Sequence, residues 1–448
     1  MASSRKSNSD LTARVERALS PFVSADQTVL LGLSGGVDSV VLLHVLHLLS
    51  AQQGWRLRAL HVHHGISANA DGWAAFCETL CVGLNVPLEV VRVDIAPMRA
   101  MGIEAAARTL RYQALTAVGA ESIVLAQHRD DQAETLLLQL LRGGGVRGAA
   151  AMPMRTVLSG SQLLRPLLDT SRAELLAYAE AHGLRWVEDE SNADPAYARN
   201  FVRHRIFPLL ETHYPGCRTT LARSAGHFAE AASLQDALAE IDSADAITAG
   251  TLAVERLRAL DWVRAKNLLR YFIEQQGAPL PDAPKLEELL RQLLLARQDA
   301  QVCVAYAGYA VRRYRERAYV EKTLPECGED FSRSWSGEPS LAMPELGGVL
   351  TMERMSGRGV ACAKLAGRGL TVRLRSGEVP FKPGNNRPAR SLKNLFQEAA
   401  IPPWQRARWP LLYCGETLVA IPGLGVAEDW QPQPDEMGWL PVWCNKSA

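Results

Sequence analysis

The stretch that decides the fold is Thr28–Ser39, which reads TVLLGLSGGVDS. It begins with a short run of apolar residues, which is typical of a buried β-strand. Gly35 and Gly36 follow the run and allow the backbone to approach a ligand without Cβ clashes. Residues 37–49 then have the length and apolar content of a helix. This order predicts a cradle in which main-chain amides and a helix N-terminus hold a phosphate.

The carboxylate of Asp38 falls in the first turn of that helix, where it can ligate a Mg²⁺ ion that bridges phosphate oxygens. The alternative is a capping role, which would contribute about 0.5–2 kcal/mol. The loop lacks the Gly-Lys-Ser/Thr of a Walker loop and the Gly-x-Gly-x-x-Gly of a dinucleotide fold. We predict that ATP binds at Ser34, Gly35, Gly36, Val37, Asp38 and Ser39, with Mg²⁺ at Asp38.

Outward from this stretch, short apolar runs alternate with segments of helical length as far as about residue 187. The further candidate strands are 57–66, 88–94 and 122–128, and the further candidate helices are 103–118 and 130–141. This alternation predicts an α/β domain with a doubly wound, mostly parallel sheet. Functional residues in such folds gather at the carboxyl ends of the strands, so the residues just past each run are the candidates.

The pattern changes twice further along the chain. Residues 224–301 are rich in Ala and Leu and favour helices, whereas the chain from Pro339 onward has more Gly, Pro and short β-like runs such as 369–374 and 416–422. We therefore predict a catalytic domain over 1–215, a mainly helical middle domain over 216–335, and a small α+β domain over 336–448.

The composition excludes several classes of protein. The chain has 448 residues and a net charge of +1, so any contact with nucleic acid depends on local clusters of charge. Its eight cysteines include no Cys-x-x-Cys pair, which argues against a disulfide scaffold and favours a reducing compartment. No apolar run is long enough for a membrane span or a signal peptide. We expect a cytoplasmic protein, and a homodimer is compatible with this sequence.

Several motifs carry a family resemblance. The loop Ser34–Ser39 resembles that of the PP-loop superfamily of N-type ATP pyrophosphatases, which implies cleavage between the α and β phosphates of ATP. The wider series resembles the tRNA(Ile)-lysidine synthase family. It comprises His61–Ile66, Glu104 with Arg108 and Arg111, Asp130–Thr135, Arg142–Gly145, Trp186–Asn192, Arg199–Asn200, Arg203, Arg205, Arg390–Glu398 and Ile401–Trp404.

That resemblance implies a reaction. The ε-amine of L-lysine would be joined to C2 of the wobble cytidine of an isoleucine tRNA with a CAU anticodon, after adenylation of the C2 oxygen by ATP. Asp131 and Glu134 lie three residues apart on one helical face and could clamp the lysine ammonium, although acidic residues also favour helix starts for electrostatic reasons. Arg108 matches the arginine expected near the lysine carboxylate. The predicted catalytic residues are Asp38, Arg108, Asp131 and Glu134.

The same resemblance implies contacts with tRNA through Arg199, Arg203, Arg205, Arg390, Lys393 and Arg406. Residues 351–410 contain twelve Lys and Arg against three Glu, a net charge of +9. Trp404 and Trp409 interleave with arginines there and suit either base stacking or a packed corner. A second run of arginines forms either another basic surface or a solvated strand edge; it comprises Arg312, Arg313, Arg315 and Arg317. His61, His64 and His128 suit either a catalytic base or a hydrogen-bonded wall of the site.

Rival functions remain open at this point. Another PP-loop adenylating enzyme, such as a small-molecule synthetase of the amidotransferase type, would need a glutaminase or ammonia-handling partner. A tRNA thiolase is expected to show paired redox cysteines, which this sequence lacks. A non-catalytic nucleotide- or RNA-binding protein that kept the loop is the alternative from a different class.

Overall fold

The computed structural model describes residues 2–297, 300–328, 330–365, 368–375, 377, 380–384 and 388–445, with the backbone alone for 2–10 and 191. Arg387 and Glu378 of the basic segment lie outside the described residues. The chain divides into two compact units, Met1–Leu234 and Gln235–Ala448. None of the helices in the described part combines the length and hydrophobicity that a bilayer crossing requires.

The first unit is built on a six-stranded sheet in the order β3-β2-β1-β4-β6-β5. Its strands are β1 (Thr28–Gly32), β2 (Arg56–His63), β3 (Leu88–Arg92), β4 (Ser122–Val124), β5 (Arg155–Leu158) and β6 (Ser161–Leu164). Every pair is parallel except β5 with β6. The strand order reverses direction between β1 and β4, so a crevice opens at their carboxyl ends. The predicted doubly wound, mostly parallel sheet is confirmed.

Helices of the first unit pack on this sheet or on one another through their apolar positions. They are α1 (Ala2–Leu19), α2 (Val37–Gln53), α3 (Ala70–Gly83), α4 (Ile103–Ala117), α5 (Arg129–Leu141), α6 (Val146–Ala149), α7 (Arg172–Ala181), α8 (Ala198–Phe201) and α9 (Phe207–His213). Helix α2 is buried along most of its length, as its Val and Leu content predicts. A π-helical turn, Val202–Ile206, joins α8 to α9. Helix α10 (Cys217–Ser243) crosses the boundary between the units.

The second unit begins with helices that carry a sheet of their own. The helices are α11 (Val254–Arg258), α12 (Trp262–Gln275) and α13 (Ala283–Leu295), and the sheet has the order β7-β8-β11-β10-β9. Its strands are β7 (Ile247–Thr248), β8 (Thr251–Ala253), β9 (Cys303–Tyr306), β10 (Tyr309–Tyr314) and β11 (Arg317–Lys322). The predicted helical region is present. The arginines in β10 and β11 interrupt the apolar alternation, so periodicity alone does not predict this sheet.

The remaining chain is β-rich, as predicted. A five-stranded sheet (β12-β16-β19-β20-β21), a four-stranded sheet (β13-β14-β22-β15) and a hairpin (β17-β18) form it. The strands are β12 (Ser332–Trp335), β13 (Ser340–Met343), β14 (Gly348–Ser356), β15 (Val360–Ala361), β16 (Leu370–Arg373), β17 (Pro380–Phe381), β18 (Arg390–Ser391), β19 (Leu411–Cys414), β20 (Thr417–Ile421), β21 (Gly425–Val426) and β22 (Met437–Asn445). The helices are α14 (Cys362–Leu365), α15 (Leu392–Glu398) and α16 (Pro403–Arg406).

Candidate active site

The loop after β1 converges on the hydroxyl of Ser39. The amides of Ser34 and Gly35 each donate to Ser39 Oγ at 3.2 Å, and that hydroxyl donates to the carbonyl of Gly36 at 2.9 Å. Two main-chain N–H groups therefore point to one spot at the N-terminus of α2. An anion at that position would gain both amides and the positive end of the helix.

Gly35 has no acceptable substitute in this loop. Its φ is +86°, and a Cβ there would lie 2.9 Å from Val187 and 3.2 Å from Cys77. The amide of Val187 also donates to the carbonyl of Gly35 at 3.0 Å, which ties the segment after α7 to the loop. The tight packing below Gly35 holds the loop in one conformation and keeps its amides aimed at the same point.

His128 joins the two predicted acidic residues of the site. Its Nε2 lies 3.6 Å from Asp38 and 3.5 Å from Asp131, at the carboxyl ends of β1 and β4 respectively. Burial lowers the pKa of His128, but the carboxylates of Asp131 and Asp38 outweigh that effect and leave its pKa raised. The imidazole thus holds two carboxylates of the crevice close together, a role that sequence reasoning left open.

Glu134 has a different environment from the one predicted. Its side chain is 0% exposed, and Arg203 donates to its two oxygens at 2.6 and 2.9 Å. Arg199 lies 3.4 Å from the same carboxylate, and Arg203 also donates to Asp131 at 3.2 Å. A buried carboxylate needs such partners because desolvation of an unpaired charge is costly. Arg199 and Arg203, whose side chains are 29% and 18% exposed, are thus already paired within the protein, and the tRNA contacts predicted for them compete with these ion pairs.

A cavity of about 690 Å³ opens between the loop, α4 and the segment before α8. Asp38, Asp131 and Arg108 line it, whereas Glu134 and Arg203 do not. Arg108 is exposed and lies over the ring of Tyr112 at 5.0 Å. The structure thus brings three of the four predicted catalytic residues to one cavity and places the fourth behind it.

Further residues line the same cavity without having been predicted as site residues: Trp73, Asp189, Glu190, Asn192, Tyr197 and Asn200. Four of them come from the stretch between α7 and α8, which has little regular structure. Such loops are placed by tertiary packing, so periodicity carries no signal for them. The available signals were the Trp186–Asn192 and Arg199–Asn200 motifs. Asp130, by contrast, accepts from the amide of Arg172 at 3.3 Å and is a structural carboxylate.

We expect His64 to stay neutral at pH 6. Burial, together with the positive charge of Arg111, lowers its pKa from 6.5 to about 4. Because the unfolded chain protonates His64 first, this residue lowers the free energy of unfolding as the pH falls from about 6.5 towards 4. NMR titration of ¹⁵N-histidine-labelled protein measures the midpoint, and a His64→Gln spectrum assigns the signal. A midpoint at or above pH 6 would contradict the expected burial.

The predicted tRNA-contacting residues have unequal environments. Arg205 and Lys393 are exposed. Arg390 is paired with Glu398, also at the surface. Arg406 instead donates to the carbonyl of Ile401 at 2.7 Å and to the hydroxyl of Tyr314 at 2.9 Å, which ties α16 to β10. The tRNA role predicted for Arg406 therefore competes with a structural one.

Comparison with known proteins identifies the family of this chain. Three protein-family profiles match it: a PP-loop domain at residues 7–210, a TilS substrate binding domain at 252–319, and a TilS substrate C-terminal domain at 370–443. A tRNA(Ile)-lysidine synthase from Nitrosomonas europaea is 43% identical and covers 99% of this chain and 98% of its own. The chain belongs to the tRNA(Ile)-lysidine synthase family. Another synthase, from Aromatoleum aromaticum, is 41% identical over 94% of this chain and 98% of its own.

Membership of the tRNA(Ile)-lysidine synthase family confirms the resemblance found in the sequence motifs. The PP-loop profile spans the crevice described above, and a PP-loop implies the use of ATP. The relatives match over nearly the whole chain, so the second unit belongs to the family as well as the first. Membership favours this family over the rival PP-loop synthetases and thiolases.

Proposed function

We propose that this protein ligates L-lysine to C2 of the wobble cytidine of an isoleucine tRNA with a CAU anticodon, at the expense of ATP. The observation that carries the proposal is the meeting of Asp38, His128 and Asp131 where the strand order reverses, beside a loop whose amides converge on one point. An enzyme that modifies tRNA works where tRNA is abundant, so we also propose that it acts in the cytoplasm.

In the first half-reaction the C2 oxygen of the cytidine attacks the α-phosphorus of ATP and pyrophosphate leaves. The amides of Ser34 and Gly35 donate to Ser39 Oγ here and would donate to phosphate oxygens once ATP displaces that hydroxyl. Among the described residues, Asp38 Oδ1 is buried without a hydrogen-bond partner, and an acidic oxygen of this kind fits Mg²⁺. That ion would neutralise charge on the departing pyrophosphate.

In the second half-reaction the lysine ammonium first releases a proton to solvent, the resulting ε-amine forms a bond to C2, and AMP leaves as the C2–O bond breaks. Asp131, which is 13% exposed and lines the cavity, would hold the lysine ammonium, and the exposed guanidinium of Arg108 would hold its carboxylate. Glu134 would act through Arg203, because the ion pair fixes the position of Asp131. Glu134 and Arg203 are thus positioning residues in this proposal.

Mass spectrometry of the tRNA tests the proposal. Transcribed tRNA incubated with protein, ATP and lysine should gain the mass of lysine less one water at the wobble cytidine, while ATP becomes AMP and pyrophosphate. A tRNA with uridine at the wobble position is the matched control and should stay unchanged. ATP cleavage without tRNA would favour a small-molecule synthetase, and a sulfur-containing product would favour a thiolase. No turnover under any of these conditions would favour a binding protein.

We expect Arg205 and Lys393 to contribute phosphate contacts. Because both are exposed, Arg205→Ala and Lys393→Ala should weaken tRNA binding while each lowers the slope of log K against log salt by about 0.7–0.9. Arg58→Ala is the matched control: this arginine pairs with Glu89 towards the opposite end of β2 from the crevice. Filter binding between low and moderate salt gives the slopes, and unchanged slopes in both variants would remove these residues from the interface.

A further inference from the structure

A second cavity, of about 800 Å³, lies in the second unit between β10 and α16. Arg312 and Tyr314 on β10, Arg315 in the following turn and Trp404 on α16 contribute to its lining. The cavity is therefore built from two of the sequence features whose meaning was left open, the arginine run and the first tryptophan. Its volume falls within the range of sites that enclose small organic ligands.

The two tryptophans have separate environments. Trp409 donates from its indole nitrogen to the carbonyl of Pro422 at 3.1 Å and packs against Phe396. It therefore has the packing role rather than the base-stacking one. Trp404 faces the cavity, and its indole Nε1 is buried without a partner among the described residues. A buried N–H without an acceptor is costly, which marks a place where a ligand can supply one.

Aromatic neighbours fix the orientation of the indole of Trp404, which forms one wall of the cavity. Tyr319 lies edge-on to it with ring centres 5.6 Å apart, and Tyr314 lies edge-on at 6.2 Å. The guanidinium of Arg312 lies over the indole at 5.2 Å. A rigid aromatic face with a stacked guanidinium is the arrangement that proteins use to bind an unstacked nucleobase.

The charges around the wall also favour an anionic ligand. Arg313 is buried and donates to the carbonyls of Leu293 and Ala296, so it is neither a free cation nor part of a solvated edge. Arg312 and Arg315, in contrast, have no carboxylate partner in the described part of the chain, although Arg315 donates to the carbonyl of Gln397. Two guanidinium groups without counter-ions beside an aromatic face suit a phosphate attached to a base.

The turn that carries Arg315 has positive φ angles at residues other than glycine. Arg315 and Glu316 occupy the two central positions of the β10–β11 hairpin with φ of +46° and +59°, values that Gly and Asn adopt more readily. The exposed guanidinium of Arg315 is thereby held at the rim of the cavity. Positive φ at both positions is the type I′ geometry that a two-residue hairpin loop requires, and it places Arg315 at the tip of the hairpin.

We propose that this cavity binds one unpaired nucleotide of the tRNA, with its base stacked on Trp404 and its phosphate near Arg312 and Arg315. A paired base is already stacked and could not enter, so the bound nucleotide must be single-stranded or extruded. The inference rests on the proposed tRNA substrate. It adds a contact far along the chain from the predicted catalytic residues, all of which lie in the first unit.

Chemical footprinting and affinity measurements on the full-length protein, without ATP or lysine, test the inference. One unpaired nucleotide should be protected in the wild-type complex and become reactive again with Trp404→Leu and Arg312→Gln. Loss of one stacked base predicts about 5- to 100-fold weaker binding for Trp404→Leu, with Trp404→Phe in between. Trp409→Phe is the matched control: it alters a packed tryptophan and should leave the footprint unchanged.

The outcomes separate this inference from the proposed reaction. A folded Trp404→Leu protein with wild-type affinity and footprint would contradict the proposed nucleotide site. If that variant does not fold, an Arg312→Gln protein with the wild-type footprint would contradict it instead. If the wild-type protein protects the nucleotide but forms no lysidine, the proposed reaction is contradicted while the proposed nucleotide site is supported. Thermal unfolding of each variant distinguishes loss of contact from loss of fold.

Discussion

Asp38→Asn should remove ATP cleavage while tRNA binding stays close to that of the wild-type protein. Asp38 lines the cavity beside the loop and has one buried oxygen without a partner, so the amide variant loses the ligand for Mg²⁺ but fills the same space. We expect the rate of AMP formation to fall by at least about a thousandfold, which corresponds to about 4 kcal/mol of transition-state stabilisation. Release of radiolabelled pyrophosphate in the presence of tRNA and lysine gives the rate.

Asp130→Asn is the matched control for that experiment. It changes a carboxylate of the neighbouring helix α5 that caps a main-chain amide and does not line the cavity. This variant should retain nearly all ATP cleavage. Wild-type turnover by Asp38→Asn would mean that the ion, or the phosphates themselves, are held elsewhere, and the proposed role of the loop would then need another acidic partner.

The parts of the fold that could be predicted are those determined by local sequence. The strand Thr28–Gly32, the glycine turn and helix α2 are fixed by apolar periodicity and by the backbone freedom that Gly35 requires at φ +86°. The crevice followed because parallel strands place their carboxyl ends at one edge of the sheet. Asp38 and Asp131 were therefore predicted to be neighbours without knowledge of any contact between them.

The parts that could not be predicted depend on contacts between distant residues. Arg203 and Glu134 are separated by 69 positions, and nothing in the local pattern of either helix shows that they pair. A basic residue near a tRNA-binding motif suits a phosphate contact equally well. Likewise, Trp404 and Trp409 lie in the same local context, and Trp409 differs by its packing against Phe396 and its hydrogen bond to the carbonyl of Pro422. Tertiary burial decides such cases.

Glu134→Gln should disrupt both the stability of the first unit and the use of lysine. The substitution leaves the half-buried guanidinium of Arg203 with Asp131 as its remaining carboxylate, and removal of one partner from a buried ion pair typically costs about 3–5 kcal/mol. Hydrogen exchange at the amides of α5 measures this loss locally, which matters because a chain of two units need not unfold in one step. The KM for lysine should rise, because the Arg203 guanidinium that donates to Asp131 is no longer fixed by the carboxylate of Glu134.

Comparison with the double variant Glu134→Gln/Arg203→Met separates stability from positioning. Removing both charges together takes away the Glu134–Arg203 pair without leaving either member behind, so the double variant should recover much of the stability that Glu134→Gln loses. It should not recover the KM for lysine, since Asp131 then loses the Arg203 guanidinium that lies at 3.2 Å from it. Recovery of both properties would assign the pair a purely structural role. A Glu134→Gln protein as stable and as active as the wild type would show that the pair contributes nothing.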